Sequence, residues 1–340
     1  MHIFIKKILN QIKILTAKQP ILAILIALIL IFSLSTPDIF LSLFNIQNLF
    51  RQASFDGIVA LGMTLVLIGG GVDLSVGMVM AMSAALTIGL QPYGVVFAVL
   101  TALLFGVVVG IINGFLVTKV KIVAFITTLG MMNCIGGLLL LYTRQQPISG
   151  QIAWFSDIGS GSLWIIPYSA LVYFIIAILL HIMLTYTRFG RNMYTAGENQ
   201  EACTLAGIKS GKYIFFTFVF SGLFSSLAGV LLASRLNSAS IHIGGDTPLL
   251  VIAASIMGGA SIFGGRGSVL GTFLGVLCLQ TLSNGMNLLR VFTYYQYMIK
   301  ALILITVVIV DAYYRSQPKQ RSLKRFNKEM KSGVVAGSNL

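Results

Sequence analysis

The chain reads as an all-α polytopic membrane protein of about ten transmembrane helices, and three observations lead there. Its 340 residues are 57% hydrophobic and only 9% charged, against about 25% charged in a soluble globular domain. The apolar residues gather into runs separated by short polar breaks. Lys and Arg concentrate at the ends and in a few of those breaks, so the net charge of +14 reads as a topology signal and not as a nucleic-acid surface.

The first run, Ile21 to Ser35, follows Lys6, Lys7, Lys13 and Lys18 and precedes Thr36-Pro37-Asp38 without a small-x-small cleavage pattern. An uncleaved span with a cytoplasmic N-terminus is expected. Further spans are expected over Ser54–Ile68, Val72–Leu90, Val95–Val117, Ile122–Tyr142, Ile165–Tyr186, Tyr213–Ala233, Leu249–Phe263, Ser268–Leu289 and Thr293–Ala312. Inside segments would then hold Lys119 and Lys121, next Arg188, Arg191, Lys209 and Lys212, next Arg266, and finally the tail from Arg315 to Lys331. Outside segments would hold only Arg51, Arg144, Arg235 and Arg290, a bias that fits an even number of spans with both termini inside. A re-entrant pair could replace the second and third spans without changing anything downstream. The resulting organisation is a cytoplasmic segment over 1–20, a transmembrane domain over 21–312 with a cytoplasmic loop at 187–212, and a basic cytoplasmic tail over 313–340.

Between the second and third runs, Gly69, Gly70 and Gly71 break the helix and Asp73 follows them in apolar surroundings. A carboxylate at membrane depth costs several kcal/mol unless protein or water receives it. Asp73 therefore marks protein interior or a hydrated path, as broken helices do in transporters, or it caps a half-helix at the surface.

Gly106, Gly110, Asn113 and Gly114 in the fourth run resemble Gly271, Gly275, Asn284 and Gly285 in the ninth, with different spacing. Two halves of five spans with opposite topology would form an inverted repeat, although small residues every four positions also serve plain helix packing. Asn113 and Asn284 are costlier to bury than glycine. With Asp73, Ser75, Thr127, Thr128, Asn133 and Asn287 they are the candidates for a polar translocation path.

The loop from Arg188 to Ile208 holds two of the nine acids, Glu198 and Glu201. Glu198 to Leu205 is expected to form a short helix, with Gly197 before it and Gly207 as its stop. Helices that lie on lipid favour Lys and Arg on the polar face, so the acids favour a protein partner.

Enzyme chemistry is not apparent. No G-x-x-x-x-G-K-S/T phosphate loop occurs, and Gly264-Gly-Arg-Gly267 joins two spans, which favours a tight turn. Cys134, Cys203 and Cys278 lack metal or redox spacing, and His2, His181 and His242 are scattered, so no metal or cofactor site is expected. Tyr294, Tyr295, Tyr297, Trp154 and Trp164 suit interfacial anchoring.

Four motifs carry a resemblance. Gly70-Gly-Val-Asp-Leu-Ser-Val-Gly77, Phe125-Ile-Thr-Thr-Leu-Gly130, the segment Gly190-Arg-Asn-Met-Tyr194 with Gly197-Glu-Asn-Gln-Glu-Ala202 and Ala206-Gly-Ile208, and Ile256 to Gly271 occur in that order over about three-quarters of the chain. Together they resemble the permease subunits of ribose-type sugar ABC importers. The resemblance implies a ten-helix, inverted-repeat fold similar to vitamin B12-type importers, in a bacterial inner membrane. It implies a partner permease, identical or paralogous, a soluble sugar-binding protein outside, and ATPase subunits inside that carry the ATP and magnesium. The cargo implied is a pentose, a hexose or a related polyol or sugar-like signal. The family's coupling helix maps onto Gly197, Glu198, Asn199, Glu201, Ala202, Leu205, Gly207 and Ile208.

The chain departs from that pattern at Thr247-Pro-Leu-Leu250, where many members have a Tyr-Glu-Leu-Asp-like run. It also departs at Ala124, often proline, and at Arg144-Gln-Gln-Pro-Ile148 in the outer loop. Two other functions compete with import: an ion-coupled secondary transporter using Asp73, and a receptor or scaffold that passes no substrate.

Overall fold

The computed structural model describes residues 20–309 and 311–312; the basic stretch ahead of Pro20 and the basic tail from 313 onward lie outside the described residues. In chain order the helices are α1 (Pro20–Ser35), α2 (Pro37–Phe40), α3 (Leu43–Ile68), α4 (Val76–Gly89), α5 (Val95–Phe115), α6 (Ala124–Thr143), α7 (Phe155–Ser160), α8 (Tyr168–Tyr186), α9 (Arg188–Glu198), α10 (Gln200–Leu205), α11 (Ser210–Leu236), α12 (Thr247–Met257), α13 (Val269–Leu288) and α14 (Thr293–Ile309). Six are long and apolar enough to cross a bilayer, namely α3, α5, α6, α8, α11 and α13, and four shorter apolar helices, α1, α4, α12 and α14, accompany them.

The expected spans differ from these helices in three places. The second run begins at Leu43 and not at Ser54, because Ser42 caps it by accepting the Asn45 N–H at 3.3 Å. Asn45, Gln47, Asn48, Arg51 and Gln52 make this first part polar, which hid the helix from a hydropathy reading. The third run is helical only from Val76 to Gly89, since the glycine break consumes its start. The eighth stops at Met257 and not at Phe263, where Gly259 turns the chain at φ +91°. At about 1.5 Å per residue, α4 and α12 are too short to cross the hydrocarbon core alone.

Two helices organise the packing. α11 packs on α3, α4 and α5, while α3 packs on α8, α11, α12 and α13. The α5–α11 contact is made by backbone: a Cβ at Gly106 would strike the Gly222 carbonyl and one at Gly222 the Gly106 carbonyl, and Gly110 abuts Phe218 in the same way. Such close approach is what small residues permit between membrane helices. Gly271 instead abuts Gly258, just past the end of α12, and Gly275 abuts Ala254 within it. The two glycine series therefore serve different contacts, and their likeness is one of helix packing.

At one end of the bundle lie two short antiparallel pairs. β1 (Ile148–Ser149) pairs with β4 (Ser238–Ala239), and β2 (Ser162–Leu163) with β3 (Ile166–Pro167). The small helix α7 docks here, with the Ser234 hydroxyl donating to the Phe155 carbonyl and accepting the Gly159 N–H at 2.8 Å. Trp154 and Trp164 are exposed in this region, and Tyr294, Tyr295 and Tyr297 are exposed at the start of α14.

Candidate functional site

The glycine triplet ends α3 in a Schellman turn. Gly70 takes φ +79°, its N–H donates to Leu67 O at 2.9 Å, and the Gly71 N–H donates to Val66 O at 3.0 Å. The chain then runs without helix to Val76, which leaves Asp73 inside the bundle at 1% exposure. One carboxylate oxygen accepts the Ser75 N–H at 3.0 Å and the Ser75 hydroxyl at 2.6 Å, and the other accepts the Ser221 hydroxyl of α11 at 2.7 Å. Asn113 of α5 donates its amide to Ser75 Oγ at 3.0 Å. Thr128 of α6 donates to Val72 O at 3.1 Å and Ala124 O at 2.9 Å. One polar knot therefore ties α5, α6 and α11 to the break between α3 and α4.

The other path candidates lie apart. Thr127 is buried on α6 and its hydroxyl has no partner among the described residues, as is true of Asn113 Oδ1 within the knot. Asn133 is exposed on α6 and donates to Leu129 O at 3.0 Å. Asn284 forms a reciprocal amide pair with Asn45 at 3.0 and 2.9 Å, and Asn287 accepts from Gln296 at 2.8 Å. Sequence reasoning missed three polar sets: Ser221 itself, the Asp56 carboxylate that accepts from Gln280, and a hydroxyl trio in which Thr64 of α3 meets Ser255 of α12 at 3.1 Å and Thr272 of α13 at 2.6 Å. Asp56, an acid in an apolar run, was a signal available in the sequence.

The loop after α8 folds as two helices and not one. Thr187 caps α9 by accepting the Gly190 N–H at 3.1 Å, and Asn199 caps α10 by accepting the Ala202 N–H at 2.9 Å. Glu198 is thus the last residue of α9, and of the helix expected over Glu198 to Leu205 only Gln200–Leu205 forms α10. Asn is among the strongest N-caps, so the break lies where Asn199 can receive the free amide. Gly207, at φ +72°, ends α10, and the Ile208 N–H returns to Cys203 O at 2.8 Å. Cys203 is buried beside Val66, Ala196, Ile214 and Phe218, whereas Leu205 is 91% exposed.

This loop touches the helix break through backbone. The Gly265 N–H donates to the carbonyl of Ile68, the last residue of α3, at 2.9 Å. A Cβ at Gly197 would strike that same carbonyl, and one at Gly264 would strike the Gly197 carbonyl. The Tyr194 hydroxyl of α9 donates to Gly267 O at 2.8 Å, and burial lifts this phenol above its usual range. Gly264 to Gly267 form a turn between α12 and α13, with positive φ at Gly264, Gly265 and Gly267. A cavity of about 640 Å³ opens between Gly69–Gly71, the Lys121–Ala124 turn, Glu201 of α10 and Ile214 of α11. Displacement of α9 or α10 would therefore bear directly on the end of α3 and the Asp73 knot.

Residues 45–308 match the family described as branched-chain amino acid transport system / permease component. The ribose import permease protein RbsC of Bacillus subtilis (strain 168) is 41% identical over 291 residues, covering 84% of this chain and 90% of the relative. The D-allose transport system permease protein AlsC of Escherichia coli (strain K12) is 34% identical over 294 residues, 86% and 89% of the two chains. The L-arabinose ABC transporter permease protein AraH of Azospirillum brasilense is 34% identical over 309 residues, 90% of each. No solved structure matches the chain.

Proposed function

The chain belongs to the branched-chain amino acid transport system / permease component family, and from that membership we propose that it is the membrane-spanning subunit of an ATP-driven importer of a simple sugar. It is a transport subunit and not an enzyme. The observation that carries the reading is the set of sugar permeases aligned over at least 84% of the chain. Six long apolar helices, with the shorter α1, α4, α12 and α14, are the basis for ten spans, α4 and α12 being completed by the non-helical chain at 69–75 and 258–268. The exchange by which α3 packs on α12 and α13 while α11 packs on α4 and α5 supports an inverted repeat of the vitamin B12-importer kind.

In this reading both termini, the loop 187–212 and the α12–α13 turn face the cytoplasm of a bacterial cell. An ATPase subunit holding ATP and magnesium grips α10, with Leu205 as its apolar anchor and Glu201 and Ala202 beside it. A soluble binding protein delivers sugar to the end that carries α7 and the short strands, and a second permease subunit completes the path. The Asp73 knot is the hinge of the pathway: its carboxylate is occupied by three neutral donors, which suits shape-holding better than ion carriage.

Uptake of labelled ribose into vesicles containing the permease, its ATPase and its binding protein tests the reading. Transport is expected to require the ATPase and to survive a proton ionophore. Uptake that persists without the ATPase and collapses with the ionophore would support the ion-coupled alternative.

A further inference from the structure

A second cavity of about 640 Å³ lies beside α10, between the end of α5 and the start of α11. Its lining includes Lys119, from the wide turn Leu116–Val120 that follows α5, and Lys209 and Lys212, which bracket the first turn of α11. All three lysines are exposed, and none has a carboxylate partner among the described residues. The N-terminus of the 27-residue α11 opens into the same space through Ser210 and Gly211, adding the positive end of a long helix dipole. Positive charge from two separate chain segments thus converges on one concave site of the size that holds a small ligand.

The apolar part of the lining says what kind of ligand fits. Phe115 and Phe215 border the cavity. Phe115 is also the last of a series of exposed apolar residues on α5, with Leu104, Val108, Ile111 and Ile112. Their spacing of three and four places them on one helix face. That face ends at the lysines, so an acyl chain lying along it would bring its headgroup to the cavity. Basic pockets between membrane helices on the cytoplasmic side have this construction where they hold acidic headgroups.

We infer that this cleft is a binding site for an acidic phospholipid, its phosphate held by Lys119, Lys209 and Lys212 at the start of α11 and its acyl chains laid along the exposed face of α5. The site does not depend on which solute the protein moves.

The test uses the full-length permease, delipidated in detergent and titrated with phosphatidylglycerol, phosphatidylethanolamine or glycerol 3-phosphate while bound species are counted by native mass spectrometry. Phosphatidylglycerol should be retained in preference to phosphatidylethanolamine. Its affinity should fall by about fivefold for each lysine removed, hence by roughly a hundredfold in the K119Q/K209Q/K212Q variant, and should persist in K119R/K209R/K212R. If the triple Gln variant does not run as a folded species on gel filtration, K119Q alone, on an exposed turn, carries the test with an expected loss of about fivefold. Equal retention of the two lipids, or undiminished phosphatidylglycerol binding in the folded Gln variants, would overturn the site. Glycerol 3-phosphate displacing the lipid at matched concentration would also overturn it, by showing a pocket for free phosphate.

Discussion

Asp73 has its hydrogen-bonding capacity taken up by groups that come from two places in the sequence. Ser75 is two residues away and supplies an amide and a hydroxyl, while Ser221 is on α11 and supplies a second hydroxyl. An asparagine keeps one carbonyl oxygen for the Ser75 donors and turns its amide toward Ser221, whose hydroxyl can rotate to accept. A leucine leaves three buried donors unmatched, at about 1–3 kcal/mol for each. Asp73→Asn is therefore expected to retain most of the transport and thermal stability, and Asp73→Leu to lose both, as read by vesicle uptake and by melting of the purified protein. If Asp73→Asn is folded and inserted yet inactive, the negative charge itself is required. The acid and its neighbour Ser75 were legible in the sequence because a charge in an apolar run stands out. Ser221 was not, because serine is a common residue in membrane helices and its partner lies far away along the chain. Thr64, Ser255 and Thr272 escaped notice for the same reason.

At the scale of elements, the loop after α8 has two functions in the proposed mechanism, and the geometry assigns them to different residues. Ala202 lies on the exposed face of α10, so a bulky side chain there obstructs a partner without disturbing the bundle. Gly197 faces inward, where any side chain meets the Ile68 carbonyl and approaches the Gly265 N–H at 3.0 Å. Ala202→Trp should accordingly abolish co-purification of the ATPase, whereas Gly197→Ala should keep the ATPase bound but lose sugar-stimulated ATP hydrolysis. Glu201→Gln should change either measurement little, because exposed ion pairs contribute only about 0–1 kcal/mol. Undiminished co-purification in Ala202→Trp would move the docking surface elsewhere, and normal coupling in Gly197→Ala would show that the backbone junction transmits nothing. Gly207 was recognisable as a helix stop from its type and place. The division at Asn199 was missed because Glu198 to Leu205 has helical composition throughout, and only the cap hydrogen bond distinguishes one helix from two.

For the molecule as a whole, the all-α, membrane-spanning class could be read from hydropathy, but not which apolar runs are neighbours. That information lies in three-dimensional contact, above all in where two backbones come within glycine distance. α5 and α11 meet at Gly106 and Gly222, each facing the other's carbonyl, with no free volume between them. Gly137 on α6 has the same residue type and a similar apolar setting, yet a Cβ there would meet nothing within 4 Å. Sequence alone treats the two glycines alike; the fold does not. Gly222→Leu must push α11 from α5 and with it the Ser221 hydroxyl from Asp73, an overpacking penalty of about 1–3 kcal/mol with loss of the knot in addition. Gly137→Leu adds a side chain to open surface and should stay within about 0.5 kcal/mol of the parent. Thermal unfolding of the isolated permease in detergent compares them directly: a clear fall in Tm for Gly222→Leu beside an unchanged value for Gly137→Leu is expected. Equal destabilisation by both would mean that α6 is covered within the single chain and that this helix packing is wrong. Loss of transport without loss of Tm in Gly137→Leu would instead place the second permease subunit against α6.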